Sequence, residues 1–354
     1  MTDRLSRLRT LIDEHHLDGI LIQKSENRFY FSGFSGSTGI ALVTPAEAIL
    51  LVDFRYVEQA TGEAADFSVV RAERQLVDTL GRVVRERPIR RLGFEADTVS
   101  VKMHADIGRT VAPAELVAVE TVDRLRWVKD AEELARVRRA VELADAAFTY
   151  ILSSLRPGAV ERDVALEMEF FMRRAGADKE AFETIVASGP RSSLPHGRAA
   201  DRVLERGDFV TLDFGSAYRH YMSDCTRTVV LGEASDRHRQ IYEVVLAAQR
   251  AALAGIRPGI TGREADALAR DVIAAAGYGD AFGHSLGHGV GLAVHEGPTL
   301  SPREEARLAP GMVVTVEPGI YLAQWGGVRI EDLVVITDTG CVPLTQAPKE
   351  LLIL

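Results

Sequence analysis

The sequence predicts a mixed α/β protein of two domains, of which the second contains an internal duplication. The chain has 354 residues, which is about two domains of ordinary length. Apolar runs of strand length alternate with amphipathic patterns of helical period. The tripeptide Arg-Pro-Gly occurs at 156–158 and again at 257–259, and the dipeptide Ala-Gly at 175–176 recurs with the same offset at 276–277.

The bulk composition excludes several classes of protein. The apolar fraction is 46% and the charged fraction 26%, as in an ordinary globular enzyme. A net charge of −9 argues against a nucleic-acid partner. Two cysteines, Cys225 and Cys341, form no disulfide framework and fit a reducing compartment. The first residues lack a secretory signal, and no apolar run reaches the ~20 residues that span a bilayer. We therefore expect a cytoplasmic protein with no nucleic-acid or membrane partner.

The first domain, residues 1–122, alternates strands and helices. A glycine-rich stretch at 27–39 lacks the lysine of a phosphate-binding P-loop and the spacing of a dinucleotide fingerprint. We therefore interpret it as a tight turn between strands. The predicted elements are a helix at 3–17, strands at 19–22, 40–43 and 48–52, and a helix at 55–63, with further alternation to about 119.

The second domain, residues 123–354, begins with a long helical pattern that ends at an Arg-Pro-Gly break. Strands dominate its middle, helices return, and glycine-rich loops and strands complete it. The predicted elements are helices at 126–155, 161–175, 236–254 and 262–276, strands across 185–231, and a last strand at 333–337.

Two pairs of carboxylates occupy corresponding positions in the duplication. The segment 207–215 resembles 311–319, so that Asp213 corresponds to Glu317. A hairpin turn at 218–219 would place Asp213 directly opposite Asp224 on one face. A hairpin centred on Gln324 would place Glu317 opposite Glu331.

Opposed like charges destabilise a strand pair, so a shared proton or a cation must hold each pair together. The alternative is that both pairs lie on exposed hairpin faces. The sequence around Asp213 and Glu317 is apolar, however, and unpaired buried carboxylates are too costly to keep. The pattern therefore favours a metal site built by both halves.

Four of the nine histidines lie near these strands. His284, His288 and His295 share a glycine-rich segment that is not the helical His-Glu-x-x-His motif of zinc proteases. His196 follows Leu194-Pro195. Each alone would be a hydrogen-bonded core residue, but beside four carboxylates at least one is expected to be a metal ligand.

These residues together resemble the creatinase/aminopeptidase P/prolidase family of M24-type metallopeptidases, and among them the small bacterial Xaa-Pro peptidases. The resemblance implies an N-terminal creatinase-like mixed α/β domain and a C-terminal "pita-bread" domain with a pseudo-twofold internal repeat. It rests on the segments 212–215, 221–228, 287–292, 294–296, 316–319 and 327–332, and more loosely on 30–34 and 52–56.

The resemblance also implies the active site. Its metal ligands would be Asp213, Asp224, His288, Glu317 and Glu331, with Asp224 and Glu331 bridging two divalent ions. Its remaining catalytic residues would be His196, His284, His295 and Arg329. Oxygen-rich ligands favour Mn²⁺, with Co²⁺ or Zn²⁺ as alternatives. A hydroxide held between the ions would attack the peptide carbonyl, with His295 at the oxyanion and Glu317 transferring the proton.

The family resemblance implies a substrate with proline at its second position. Prolidase, which cleaves the Xaa-Pro dipeptide, must capture a C-terminal carboxylate, and we identify no arginine for this role in 296–326. We therefore favour an Xaa-Pro aminopeptidase, with prolidase as the alternative. Creatinase, methionine aminopeptidase and a non-catalytic binding module fit the intact ligand set and large first domain less well. Relatives also lead us to expect a homodimer.

Overall fold

The computed structural model describes residues 2–354, which fall into two compact units divided between Arg126 and Trp127. The mixed α/β fold class is confirmed. The predicted boundary between residues 122 and 123 lies inside a short 3-10 helix, Val122–Arg126, which belongs to the first unit.

A six-stranded mixed sheet forms the centre of the first unit. The elements of this unit are α1 Thr2–Glu14, β1 Gly19–Ile22, α2 Ser25–Ser32, β2 Ile40–Val43, β3 Ala48–Val52, α3 Val57–Glu63, β4 Ser68–Arg71, α4 Leu76–Arg85, β5 Arg91–Glu95, α5 Val101–Val111 and β6 Glu115–Val119. The strands of the sheet lie in the order β4-β3-β2-β1-β5-β6. Strand β1 pairs antiparallel with β2 and parallel with β5. Apolar side chains of the sheet pack with α4 and α5 in a buried cluster that includes Leu42, Leu80 and Ile107.

The interpretation of 27–39 as a tight turn is wrong in its first part, because helix α2 occupies Ser25–Ser32. Burial of Tyr30 and Phe31 favours the helix, which ends where Gly33 adopts φ +78°. The buried Arg28 guanidinium donates to the Gly36 and Gly39 carbonyls and so fixes the turn that follows.

The second unit consists of two similar halves. The first half comprises α6 Ala131–Ile151, α7 Glu161–Arg174, β7 Lys179–Glu180, β8 Ile185–Ser188, β9 Phe209–Phe214, β10 Ser216–Tyr218, β11 Tyr221–Met222 and β12 Cys225–Val230. The second comprises α8 Asp236–Gly255, α9 Gly262–Ala275, β13 Gly287–Gly289, β14 Glu296–Leu300, β15 Val313–Val316, β16 Gly319–Leu322, β17 Gly326–Arg329, β18 Asp332–Ile336 and β19 Cys341–Pro343.

Helix α6 begins later than the helical pattern predicts. Val128 pairs with Met312 in an isolated bridge, so the chain is still extended there. Asp130 then caps the helix in a reciprocal box with Glu133. The long predicted helix therefore divides into the 3-10 turn at Val122–Arg126 and α6.

The backbone of the two halves repeats the same hydrogen bonds. Gly158 donates to the Leu204 carbonyl and Gly259 to the Leu308 carbonyl, at 2.9 and 2.8 Å. Val160 bridges Val203 just as Thr261 bridges Arg307. The internal repeat predicted from the sequence is therefore present in the fold.

Each half packs a helix pair against one face of its strands. Val210, Leu212 and Phe214 of β9 are buried in a cluster with side chains of α6 and α7. Val314 and Val316 of β15 are buried in a cluster with side chains of α8 and α9. Because strand side chains alternate between faces, Asp213 and the residue after β15, Glu317, point away from these clusters. Within residues 2–354, no helix is both long and apolar enough to cross a membrane.

Candidate metal centre

Asp213 lies on β9 and is opposed by Thr226, not by Asp224 as predicted. Tyr218 pairs with Tyr221, so the hairpin turns at Arg219-His220, whose φ angles of 47° and 72° are both positive. This moves the register by two residues. A two-residue shift leaves each side chain on its face, so Asp224 is a diagonal neighbour of Asp213 on the same side.

The second hairpin has the predicted register. Gly319 pairs with Arg329, and Val316 of β15 pairs with Asp332 of β18. Glu317 lies between β15 and β16, and Glu331 lies between β17 and β18, which are the strands paired with them. The carboxylates therefore stand opposite each other where the strand pair passes from one sheet into the next.

Carboxylates from both halves converge. Oxygen atoms of Asp213, Asp224 and Glu331 all lie within 4.8 Å of one another. His288 Nε2 is 3.6 Å from Asp224 Oδ2 and 3.3 Å from Glu317 Oε1, which joins the remaining two residues to the group. The five predicted ligands thus lie together, and we call them the carboxylate-histidine cluster.

Close backbone packing explains the glycines beside His288. A Cβ on Gly287 would lie 2.0 Å from the Thr315 carbonyl oxygen, and one on Gly289 would lie 2.2 Å from the Gly297 carbonyl oxygen. Only glycine lets β13 approach β14 and β15 this closely. The approach brings His288 to the carboxylates, and its Nδ1 lies 3.1 Å from the Gly289 carbonyl, so Nδ1 donates and Nε2 faces the cluster.

The buried carboxylates of the cluster repel one another, which favours the binding of a positive charge. Burial, and then the charge of Glu331, raises the pKa of Asp224 well above its ordinary value. Burial and the charge of Glu317 do the same to the pKa of Glu331. Burial also disfavours ionised Glu317, but its hydrogen bond with His288 outweighs this and lowers its pKa to about 2.

Two oxygens of the cluster are buried and accept no hydrogen bond from any described residue, namely Asp213 Oδ1 and Glu331 Oε1. Buried carboxylate oxygens are normally paired. A cation fits this arrangement, because it would satisfy both orphaned oxygens and relieve the repulsion between the carboxylates.

Arg329 fixes the cluster from one side. Its Nη2 donates to Asp213 Oδ2 at 2.7 Å, and its Nε donates to Thr226 Oγ1 at 2.9 Å. Thr226 Oγ1 in turn donates to Glu331 Oε2 at 2.7 Å. One guanidinium therefore orients a carboxylate from each half of the unit.

The other three predicted histidines are distributed around the cluster. The His295 ring centroid is 4.2 Å from that of His288. His295 reaches solvent, yet partial burial lowers its pKa, and the charges of His288 and His196 act in the same direction. His196 is exposed. His284 is half-buried, and burial lowers its pKa.

Sequence reasoning missed three residues of the site. Thr226 and Thr315 donate to Glu331 and Glu317, the latter at 2.9 Å. Tyr321 Oη lies 2.9 Å from His284 Nε2 and accepts from Arg329 Nη1 at 2.8 Å. All three lie two or four residues from a predicted ligand along the chain. The period-two alternation of strand side chains could therefore have placed them on the same face.

Known families match both units of the chain. Residues 135–338 match metallopeptidase family M24, and residues 4–128 match the creatinase/prolidase N-terminal domain. An Xaa-Pro dipeptidase of Pyrococcus furiosus is 42% identical over 354 residues, which covers 99% of this chain and 100% of that protein.

Solved structures agree over nearly the whole chain. An Xaa-Pro dipeptidase from Bacillus anthracis superimposes with a TM-score of 0.98 at 46% identity, covering 100% of this chain and 99% of its own. An X-Pro aminopeptidase from Thermotoga maritima superimposes with a TM-score of 0.91 at 39% identity, covering 99% and 100%. The resemblance seen in the sequence motifs is therefore confirmed, and the chain belongs to metallopeptidase family M24 with a creatinase/prolidase N-terminal domain.

Proposed function

We propose that the protein is a metal-dependent Xaa-Pro dipeptidase. The observation that carries the proposal is the convergence of four carboxylates and His288 in a largely buried group. The sequence favoured an Xaa-Pro aminopeptidase, with the dipeptidase as its alternative. We now prefer the alternative, because relatives at 42% and 46% identity over almost the full chain are named Xaa-Pro dipeptidases.

In this proposal Asp213, Asp224, His288, Glu317 and Glu331 hold two divalent ions. The oxygen-rich donor set favours Mn²⁺ over softer ions, with Co²⁺ and Zn²⁺ as alternatives. Such ions polarise a carbonyl and make hydroxide available near neutral pH.

The chain's own residues supply the proton transfers. Glu317 is the carboxylate that accepts the proton of the attacking water. It then delivers the proton to the nitrogen of the departing proline, which has no amide hydrogen of its own. Thr315 fixes Glu317 Oε1 by donating to it at 2.9 Å, which orients the carboxylate for both transfers.

The histidines bind and orient the substrate. His295 reaches solvent beside His288 and donates a hydrogen bond to the peptide oxygen as negative charge develops there. The lowered pKa keeps His295 neutral at pH 7, so one ring nitrogen carries the donor hydrogen. His196 and His284 position the proline residue of the substrate.

The second candidate is the Xaa-Pro aminopeptidase of the sequence prediction. The Thermotoga maritima relative, 39% identical, is named as an X-Pro aminopeptidase. The segment 296–326 contains two arginines, neither of which we assign to capture of a substrate carboxylate. Arg307 donates to the Gly259 carbonyl. Arg303 is exposed.

A substrate comparison tests the proposal. The purified protein is stripped with a chelator, reloaded with Mn²⁺, and assayed on Ala-Pro, Ala-Pro-Ala and Ala-Ala. We expect Mn²⁺-dependent cleavage of Ala-Pro above that of the other two peptides. Preference for Ala-Pro-Ala would establish the aminopeptidase instead. Absence of metal-dependent cleavage of either proline peptide would overturn both.

The metal content of a variant tests the assignment of the metal ligands. Asp224→Asn should lower the bound Mn²⁺, measured by elemental analysis, because a neutral amide would bind divalent cations more weakly than a carboxylate does. Unchanged metal content together with an unchanged rate would contradict the assignment of Asp224 as a metal ligand. The homodimer remains a separate proposal, for which sedimentation velocity is the test.

A further inference from the structure

The segment that carries His196 is held at both ends by one buried carboxylate. Glu161, the first residue of α7, is fully buried. Its Oε1 accepts from the Ser188 backbone N–H at 2.8 Å and from the Ser188 hydroxyl at 2.7 Å. Its Oε2 accepts from Arg191 Nε and from the Ala200 N–H, both at 3.1 Å. We call residues 188–200 the His196 loop.

The middle of the His196 loop is docked on the strand that carries Arg329. Ser192 Oγ accepts from the Gly327 N–H at 2.9 Å. The Pro195 carbonyl accepts from Arg329 Nη1 at 3.3 Å. The residue before His196 is thus tied to the guanidinium that also holds Asp213, so a movement of the loop would move His196 relative to the carboxylate-histidine cluster.

The internal repeat shows that the backbone connection at this position forms without a carboxylate. Glu161 and Gly262 are the first residues of α7 and α9. The Glu161 N–H donates to the Arg202 carbonyl at 3.1 Å, and the Gly262 N–H donates to the Ala306 carbonyl at 3.0 Å. The second half therefore makes the same backbone connection with no side chain at this position.

The two halves differ in the space beside the first residue of this helix. A Cβ at Gly262 would lie 2.2 Å from the Thr299 carbonyl oxygen, so the second half has no room for a carboxylate there. In the first half that space contains the Glu161 side chain and its four hydrogen bonds to the His196 loop. The carboxylate is therefore present only in the half whose loop carries His196.

We propose that Glu161 is a positioning residue that acts through His196 and thereby controls recognition of the substrate's proline residue. This inference rests on the proposed Xaa-Pro peptidase function. Glu161 itself is buried and contacts no substrate. It sets the separation of the two loop ends, and with it the place where His196 meets the substrate.

The informative variant is Glu161→Gln, which keeps the volume and removes half of the acceptors. A glutamine oxygen can still accept from Ser188, but its NH₂ group would face two donors, Arg191 Nε and the Ala200 N–H. We expect kcat/KM for Ala-Pro to fall by roughly ten-fold, chiefly through KM, within the ~10²-fold that a 1 Å misplacement can cost. Bound Mn²⁺ should be unchanged.

A double-mutant cycle distinguishes a positioning role of Glu161 from a general loss of structure. If Glu161 acts through His196, then Glu161→Gln should add little to the defect of His196→Ala in the double variant. Additive losses in kcat/KM would overturn the proposal. The control is Asp201→Asn, because Asp201 pairs with Arg162 at the surface beside the same loop and is 78% exposed.

Hydrogen exchange provides a readout that does not depend on activity. In Glu161→Gln, the amides of residues 188–200 should exchange faster while those of β13 and β15 are unaffected. Arg191→Ala, at a half-buried position, should give the same change more weakly and keeps the test valid if Glu161→Gln fails to fold. Unchanged exchange in both variants would overturn the proposal. Inactive wild-type enzyme would instead contradict the proposed function, and hydrogen exchange would still decide whether Glu161 holds the loop.

Discussion

Arg329 Nη2 donates to Asp213 Oδ2 at 2.7 Å, and this bond joins the two halves of the second unit at the carboxylate-histidine cluster. Both side chains are largely buried, at 4% and 14% exposure. The same guanidinium reaches Thr226, Tyr321 and Pro195. A planar group with five donors in fixed directions can make these contacts together, whereas a lysine ammonium cannot.

Arg329→Lys should weaken metal binding. The lysine keeps the charge but loses the fork that orients Asp213 and, through Thr226, Glu331. We expect Mn²⁺ affinity to fall by roughly 10- to 100-fold, as for other groups that orient metal ligands. Titration calorimetry of the chelator-treated protein measures this, with Arg250→Lys at an exposed ion pair as the control. Equal affinities for the variant and the wild type would show that the charge alone suffices.

Tyr321→Phe should reduce activity without loss of metal. The tyrosine hydroxyl accepts from Arg329 and donates to His284 Nε2, while His284 Nδ1 donates to the Ser285 carbonyl at 2.8 Å. Without the hydroxyl, His284 loses the partner that fixes its ring. We expect kcat/KM to fall by about ten-fold or more. Tyr150→Phe, which removes an exposed hydroxyl, should have no effect, and a similar rate for both variants would contradict the role of Tyr321.

Lys129→Met should destabilise the second unit. Lys129 Nζ lies 2.7 Å from Glu296 Oε1, and both side chains are only 1% exposed. Removing Lys129 takes a cationic partner away from the buried Glu296 carboxylate, at a cost of about 3–5 kcal/mol in the free energy of unfolding. Replacing both residues, in the double variant Lys129→Met/Glu296→Leu, should lower the free energy of unfolding by less than Lys129→Met alone. Denaturant unfolding measures both, and a single variant that loses no more than the surface variant Arg250→Met would refute the expectation.

The stability of the protein should fall at alkaline pH partly through Cys341. Burial, and then the charge of Asp332, raises the pKa of the Cys341 thiol to about 11. In the unfolded chain the pKa of a cysteine thiol is ~8.5. Between that pH and pH 11 the folded protein therefore keeps a proton that the unfolded chain has lost. This contribution is complete below ~8.5 and disappears as the pH rises toward 11. Cys341→Ser should flatten the dependence of the unfolding free energy on pH between 8 and 10, and a slope equal to that of the wild type would contradict the assignment.

The two hairpins differ in how well the sequence predicted their strand register. For Glu317 and Glu331 the predicted register was correct, because Gly326-Gly327 mark the end of the turn. For Asp213 and Asp224 it was wrong by two residues. The turn there consists of Arg219 and His220, both with positive φ. Neither residue type predicts that conformation from the sequence, as a glycine would. The face of each carboxylate was still correct, because a shift of two residues preserves the alternation.

By itself the sequence determined the α/β class, the repeat, the family and the residues of the carboxylate-histidine cluster. The class follows from local periodicity and the repeat from recurring segments, whereas the family and its metal ligands are what the resemblance of the motifs implied. Only the tertiary structure decided how the groups around the cluster connect. Arg329 meets Asp213, and Glu161 meets Ala200, across long separations along the chain. Such contacts depend on the packing of whole elements, which local pattern does not encode, and they determine how the histidines and carboxylates are held.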